Sequence, residues 1–367
     1  MPRPSHRHVT SLALLLSALV LLASTTAQAG YGDVTPDGYP NWGERVLHSW
    51  TNAVRVDPEA FRDEYEPCSF EDFEPEQQQP QQLLFFDLQL NEAGRFHTDD
   101  MQTSGVFSHT SSDGTSFFDR VQRYYGESMW IGENIAQGYG NAFDTIFRGW
   151  MCSEGHRYNI MLGEYNELGT GVLGNHYTQD FAAGIVDTTS PVAMAVHAPE
   201  LPMGDVQFMA DWSDTPPDHF DVVLNGVPIP LELTYGAAHL GVYTADALAM
   251  PGCHAYYFYW ETDDRTGTFP ESGSYLLGPC EQAVMWTAEQ APLDGSGSGG
   301  WEIADPKLRG CACTATNSVP SGIGWWALFG CLAARRRTGH RTDHKRADDT
   351  TSVRLHSSPH PSNRRSR

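Results

Sequence analysis

WIGENIAQGYGNAFDTIFRGWMCSEGHRYNI, from Trp130 to Ile160, is the stretch on which the reading of this chain turns. It sets a Gly-Glu-Asn turn, an apolar stripe and a Gly-His-Arg turn in close succession. After Gly140-Asn141, apolar side chains recur at Phe143, Ile146, Phe147, Trp150 and Met151, a spacing that predicts an amphipathic helix with a core on one side. Such a helix holds Glu133 and His156 at its two ends.

Upstream, Val46, Leu47, Trp50, Ala53 and Val54 share one face of a helix over Arg45–Arg55, which Asp57-Pro58 ends. Glu71–Gln82 reads as a polar loop with nothing to bury. A second helix begins near Asp87 with Leu90, Ala93, His97 and Met101 on one face. Gly94 weakens it by about 1 kcal/mol relative to Ala. Downstream, Gly169–Leu173 and His176–Ala183 are β-like runs joined by Gly174-Asn175, a hairpin connection. Helices covering antiparallel strands make an α+β unit.

Four motifs stand in order in this part of the chain: FSHT at Phe107–Thr110, GENIAQG at Gly132–Gly138, W-M-x-S-x-G-H-R-x-N-I at Trp150–Ile160, and NHYTQDF at Asn175–Phe181. Together they resemble the CAP superfamily of sperm-coating, pathogenesis-related and venom-allergen proteins and bacterial secreted proteins. The resemblance covers about residues 40–187 and implies an α-β-α sandwich. It also implies a cleft with two His and two acidic residues. His109, Glu133 and His176 match three of these positions. The fourth departs from the family pattern: W-x-x-E is Trp150-Met151-Cys152-Ser153 here, unless the adjacent Glu154 takes the place.

Two imidazoles and a carboxylate suit a divalent ion, zinc or magnesium, with open positions. The alternative for His109, Glu133 and His176 is a buried polar cluster in which each group satisfies another. His97, Asn134, Ser153, Glu154, His156 and Arg157 are read as supporting residues. Among them, Asn134 closes a turn, His156 bonds backbone at a helix end, and Arg157 pairs with an acidic neighbour. G-x-S-x-G and H-E-x-x-H are both absent. The site thus favours a binding module for a cation or for a small apolar or sterol-like ligand over a peptidase-like hydrolase.

Residues 1–29 read as a secretory leader: Arg3 and Arg7, an apolar run from Leu12 to Ala23, then Ala27-Gln28-Ala29. Between this leader and the basic end that starts at Arg335, the chain holds 11 Lys and Arg against 43 Asp and Glu. Such a body repels phosphate backbones, so nucleic acid is excluded as a partner. A small molecule, lipid or glycan is the expected ligand. Seven cysteines in an exported chain point to disulfides. Sorted by domain, they give Cys68–Cys152 and Cys253–Cys280.

After Ser190-Pro191 the text changes to short strands. Val206, Phe208, Ala210 and Trp212 alternate, Asp221–Leu224 runs into Asn225-Gly226, and four further runs follow. Residues 190–287 therefore read as a small all-β immunoglobulin-like sandwich, a candidate for adhesion. A Gly/Ser linker spans 288–310. Residues 311–337, with Cys311 and Cys313, an apolar run to Ala334 and three arginines, resemble the sorting tails of myxobacterial surface proteins and imply a membrane tether and surface display. Residues 338–367 read as a basic, disordered extension.

Overall fold

The computed structural model describes residues 29–126, 128, 130–200, 204–248, 251–293 and 351–354. Helix α1 (Trp42–Val56) starts on a capping box, in which Asn41 Oδ1 accepts the Glu44 N–H and Glu44 Oε2 accepts that of Asn41. Two donors left open at a helix start are thereby satisfied. Three 3-10 segments, Pro58–Glu64, Phe70–Asp72 and Pro75–Gln78, lead on to strand β1 (Phe85–Phe86) and to helix α2 (Leu88–Ser104), which Asp87 caps and Gly105 ends at positive φ. Helix α3 (Phe117–Tyr124), capped by Ser116, and strand β2 (Ile131–Gln137) follow. Then come α4 (Ala142–Asp144), α5 (Glu154–Met161) and the hairpin of β3 (Glu167–Leu173) and β4 (His176–Ala182).

Strands β5 (Val192–Ala198), β6 (Asp205–Ser213), β7 (His219–Leu224), β8 (Val227–Pro230), β9 (Glu232–Ala237) and β10 (Leu240–Leu248) begin the second half. It is completed by β11 (His254–Glu261), β12 (Thr266–Phe269), β13 (Ser274–Leu277) and β14 (Trp286–Thr287). Three sheets result, ordered β1-β3-β4-β2, β5-β6-β10-β9 and β14-β13-β11-β7-β8, with β12 paired to β11. A short strand β15 (Thr351–Arg354) adds antiparallel to the free edge of β2. It falls within the stretch read as a disordered extension. The leader and the sorting tail lie outside the described residues, as does the linker from 294 on.

Helices α2 and α3 cover one face of the first sheet, and α1 and α5 the other, which gives the expected α-β-α order. Beyond α1 the second sheet begins. Ala193, Val196, Met209 and Val242 join Leu47, Val54, Phe147 and Trp150 in one apolar cluster. The opposite face of that sheet shares a second cluster with the third sheet, through Phe208, Trp212, Tyr256, Phe258 and Trp260. The aromatic run of β11 is therefore core on alternate residues, and the Tyr257 hydroxyl, on the other side, donates to Ala291 O. Both disulfides are formed, Cys68–Cys152 and Cys253–Cys280.

Several local expectations need correction. Glu133 and Asn134 sit within β2, in no turn, and His156 and Arg157 lie in α5. The apolar stripe of residues 143–151 packs inward, but on α4, a π turn over Thr145–Gly149 and a 3-10 turn over Trp150–Cys152 instead of one helix. Glu71–Gln82 does bury side chains: Phe73 is in the core, and Gln77 accepts a 2.7 Å hydrogen bond from Arg157 Nε. The Arg157 guanidinium lies over the Phe73 ring and bonds Met151 O, so its partners are a ring and neutral oxygens, with no acidic partner within salt-bridge range among the described residues.

Candidate functional site

Strands β2 and β4 pair with Glu133 opposite Asp180 and Asn134 opposite Gln179. Successive side chains of a strand point to opposite faces, so the motif GEN sends its two polar residues to different places. Glu133 and Asp180 face α2 and α3. Asn134 faces α5, where its Nδ2 donates to His156 O and to Gln179 Oε1, both at 3.1 Å. Gln179 Nε2 continues the chain to Thr51 Oγ1 of α1 at 2.7 Å.

Around Glu133 four groups converge from three elements and a loop. Its Oε1 bonds His109 Nδ1 at 2.7 Å, and its Oε2 is paired with Arg120 Nη2 of α3. His97 Nε2 of α2 stands 4.0 Å from Oε2. Arg120 Nη1 also donates to Ser111 Oγ at 2.9 Å and His109 O at 3.2 Å, which fixes the loop carrying His109. Glu133, Arg120, His97 and Asp180 are all fully buried, and only His109 keeps an exposed edge.

The charges balance within the cluster. Burial alone would raise the Glu133 carboxyl, but Arg120, His97 and His109 overcome it and hold it down to about 2. Burial lowers His97 to about 4, so it is neutral at pH 7. Asp180 is pushed well above the ordinary carboxyl range, first by burial and then by the Glu133 charge. Neither Asp180 oxygen has a hydrogen-bond partner among the described residues. One guanidinium thus neutralises one carboxylate, and burial beside that carboxylate disfavours the charged form of the second carboxyl.

Of the sequence-derived site residues, His109, Glu133 and His97 come together. His176 does not join them: it pairs with Gln137, four residues along β4 from Asp180, about 13 Å at strand rise. Asn134, Ser153, Glu154, His156 and Arg157 belong to the α5 side of the sheet. Glu154 therefore does not fill the family's fourth corner. A divalent ion does not fit the residues present. Arg120 occupies the Glu133 oxygen that would face it, and among the described residues no group of three or more His, Cys, Asp and Glu could hold a metal.

Arg120 and Asp180 were missed, and both carried a signal. Asp180 follows His176 and Thr178 at period two in HYTQD, which places it on the same face. Arg120 is a basic residue one turn inside a helix that Ser116 caps.

Two cavities flank the start of α1. One, of about 480 Å³, lies among Trp42, Trp50, Phe143, Tyr177 and Ala142, and Ala198–Glu200, at and beyond the end of β5, line it as well. The other, of about 470 Å³, lies over the outer face of α2. Asn41 and Val172 line both.

The model of the cysteine-rich secretory protein family, CAP, matches residues 48–185. This stretch is a CAP domain. Two proteins of Bacillus subtilis (strain 168) are similar to the chain. YlbC, named an uncharacterized membrane protein, is 36% identical over 98 residues, 27% of this chain and 28% of YlbC. The uncharacterized protein YkwD is 33% identical over 107 residues, 29% of this chain and 41% of YkwD. The chain thus spans less than half the length of either relative. Among solved structures, an extracellular protein containing an SCP domain from Bacillus anthracis str. Ames is 28% identical, with a TM-score of 0.31 over 41% of this chain and 44% of that one. Within the CAP domain, Glu133 of the GEN motif is the centre of the buried cluster, and α1 supplies the walls of both cavities.

Proposed function

We propose that this chain is an exported, non-catalytic binding protein whose CAP domain holds a small apolar ligand. The observation that carries the reading is the cavity of about 480 Å³ walled by Trp42, Trp50, Phe143 and Tyr177. Its volume suits a drug-sized apolar molecule, and aromatic walls with a few polar groups at the rim are the usual makeup of such sites. Export is supported by the leader-like start of the sequence and by the two disulfides. Display on a surface rests on the sequence of residues 311–337, and the two stacked antiparallel sheets after residue 190 suit an immunoglobulin-like module.

The test is a titration of the full chain with cis-parinaric acid, read by energy transfer from the tryptophans that line the cavity. Gly140 is in the cavity lining and a Cβ on it meets nothing within 4 Å, so Gly140→Leu adds an apolar side chain at the cavity without displacing backbone. Saturable binding to the wild type that Gly140→Leu weakens at least tenfold is expected. Equal binding by both proteins, or none by the wild type, rejects the reading.

The 2.7 Å contact between His109 and Glu133 favours a second reading, a hydrolase in which Glu133 orients a histidine base. It predicts turnover of a nitrophenyl ester that His109→Ala removes while folding is retained.

A further inference from the structure

The second cavity, about 470 Å³, contains groups that neither the buried cluster nor the apolar cavity uses. Arg95 of α2 lines it with its guanidinium carbon over the Tyr39 ring, 3.6 Å from the centroid. In a body with a large acidic excess, Arg95 has, among the described residues, no carboxylate within ion-pair distance and no hydrogen-bond partner for its buried Nε. Glu92 and Asp99 stand on the same helix face at the mouth, three residues before and four after, both exposed. The apolar wall is Phe96 against Tyr124, with ring centroids 6.0 Å apart, and Leu173. Phe96 is 39% and Leu173 44% exposed, so this wall offers apolar surface at the cavity mouth. At the floor lies Glu44, fully buried, its Oε1 without a hydrogen-bond partner among the described residues.

We propose that this cavity is a second ligand site, for a zwitterion of dipeptide size. Its carboxylate takes the free edge of the Arg95 guanidinium, its ammonium meets Asp99 and Glu92, and its apolar side chain lies on Phe96, Tyr124 and Leu173. The charge pattern selects this class. A simple anion would meet two carboxylates at the mouth and an acidic body behind them, and a simple cation would meet Arg95. A molecule carrying both charges has a partner for each. The planar guanidinium, held on a ring, is preset for a two-point contact with a carboxylate. The Glu44 carboxyl, raised by burial to about 7, is half protonated near neutrality and leaves much of the Arg95 charge to a ligand.

The probe is the dipeptide leucylphenylalanine in free, N-acetylated and C-amidated forms, titrated into the full chain and followed by ligand-observed NMR. Amidation is expected to weaken binding about tenfold and acetylation several-fold, since a charged contact at a half-buried arginine outweighs one at exposed carboxylates. Arg95→Gln should bring the free and amidated forms to equal affinity, and Arg95→Lys should restore part of the preference. Gly140→Leu, in the lining of the other cavity, should leave the ratio of affinities between the free and amidated forms unchanged, so the two sites fail or stand separately. Equal binding of the free and amidated forms by the wild type overturns the proposal. So does an unchanged preference in Arg95→Gln, or no binding up to about 10 mM. Should Arg95→Gln fold poorly, the wild-type comparison of the three forms decides alone.

Discussion

Arg120 stands to Glu133 as a bound cation would. Removing it leaves a carboxylate in the interior beside two histidines and the Asp180 carboxyl, and loss of one partner of a buried pair typically costs about 3–5 kcal/mol. Arg120→Met should therefore lower urea stability by that amount at pH 7. The loss should shrink toward pH 4, where Glu133, no longer held down, takes up a proton. Glu44 has the opposite sign. Its folded value of about 7 lies above the ordinary 4.5. Between those values the folded chain holds a proton the unfolded chain has lost, so stability falls as pH rises from 4.5 to 7. Glu44→Gln keeps a residue able to close the capping box and removes the titration. It should equal wild type below pH 4.5 and exceed it above pH 7, by on the order of 3 kcal/mol at most. Equal urea midpoints for the two proteins at pH 8 would reject this account. At this scale the sequence is an uneven guide. His109 and Glu133 are legible because a motif marks them. His176 misleads because a motif gives residue type but not strand register, and register is set by the β2–β4 ladder. Ser153 to Arg157 mislead because alternation in β2 puts α5 on the far face.

Helix α2 sits on β3 at glycines. A Cβ on Gly169 would lie 2.0 Å from the Leu90 carbonyl carbon, and one on Gly171 would lie 2.4 Å from Gly94 O. Gly94 itself faces Gly171 N and the Asp180 carboxyl. What reads in the sequence as a weak point of the helix is the place where helix and strand backbones meet. Gly169→Ala must push α2 off the sheet and should cost at least about 3 kcal/mol, measured by thermal or urea unfolding. The Cys68–Cys152 bond closes a loop with sequence separation 84, for which chain entropy gives about 4–5 kcal/mol. Cys68→Ala/Cys152→Ala should lose a stability of that order, and Cys253→Ala/Cys280→Ala, closing a shorter loop, less. The start of α2 at Asp87 and the Gly174-Asn175 and Asn225-Gly226 hairpins were readable because each rests on local chemistry, and the disulfides because two cysteines fall in each half before the tail; α1 starts three residues before the expected Arg45, and α3 and α5 carried no helical expectation. The π turn after α4 was not, since apolar spacing does not distinguish helical pitches over so few residues.

Across the whole molecule, α1 is the shared layer. Arg45, His48, Asn52 and Arg55 are as buried as Val46, Leu47 and Val54, because sheets lie on both sides of the helix. Trp42 Nε1 donates to His197 O and Asn52 Nδ2 to Asp211 Oδ2, tying it to β5 and β6. Tyr31 and Val34, which precede α1, pack into the cluster between the second and third sheets. The change of text at Ser190-Pro191 marks a change of secondary structure, and residues from both sides of it share one apolar cluster. Residues 30–187 alone should be less stable than the full chain and should aggregate, which size-exclusion chromatography would show. A soluble monomer with the full chain's melting temperature would refute it.

Between the two cavities stands a thin partition, where Asn41 Nδ2 reaches toward Val172 O at 3.5 Å. A guest that presses on this partition from one side changes the room available on the other. Any such effect must be mutual, each guest altering the affinity for the other by the same factor. The cap that starts α1 would then also be the element through which an apolar guest and a zwitterionic one sense each other.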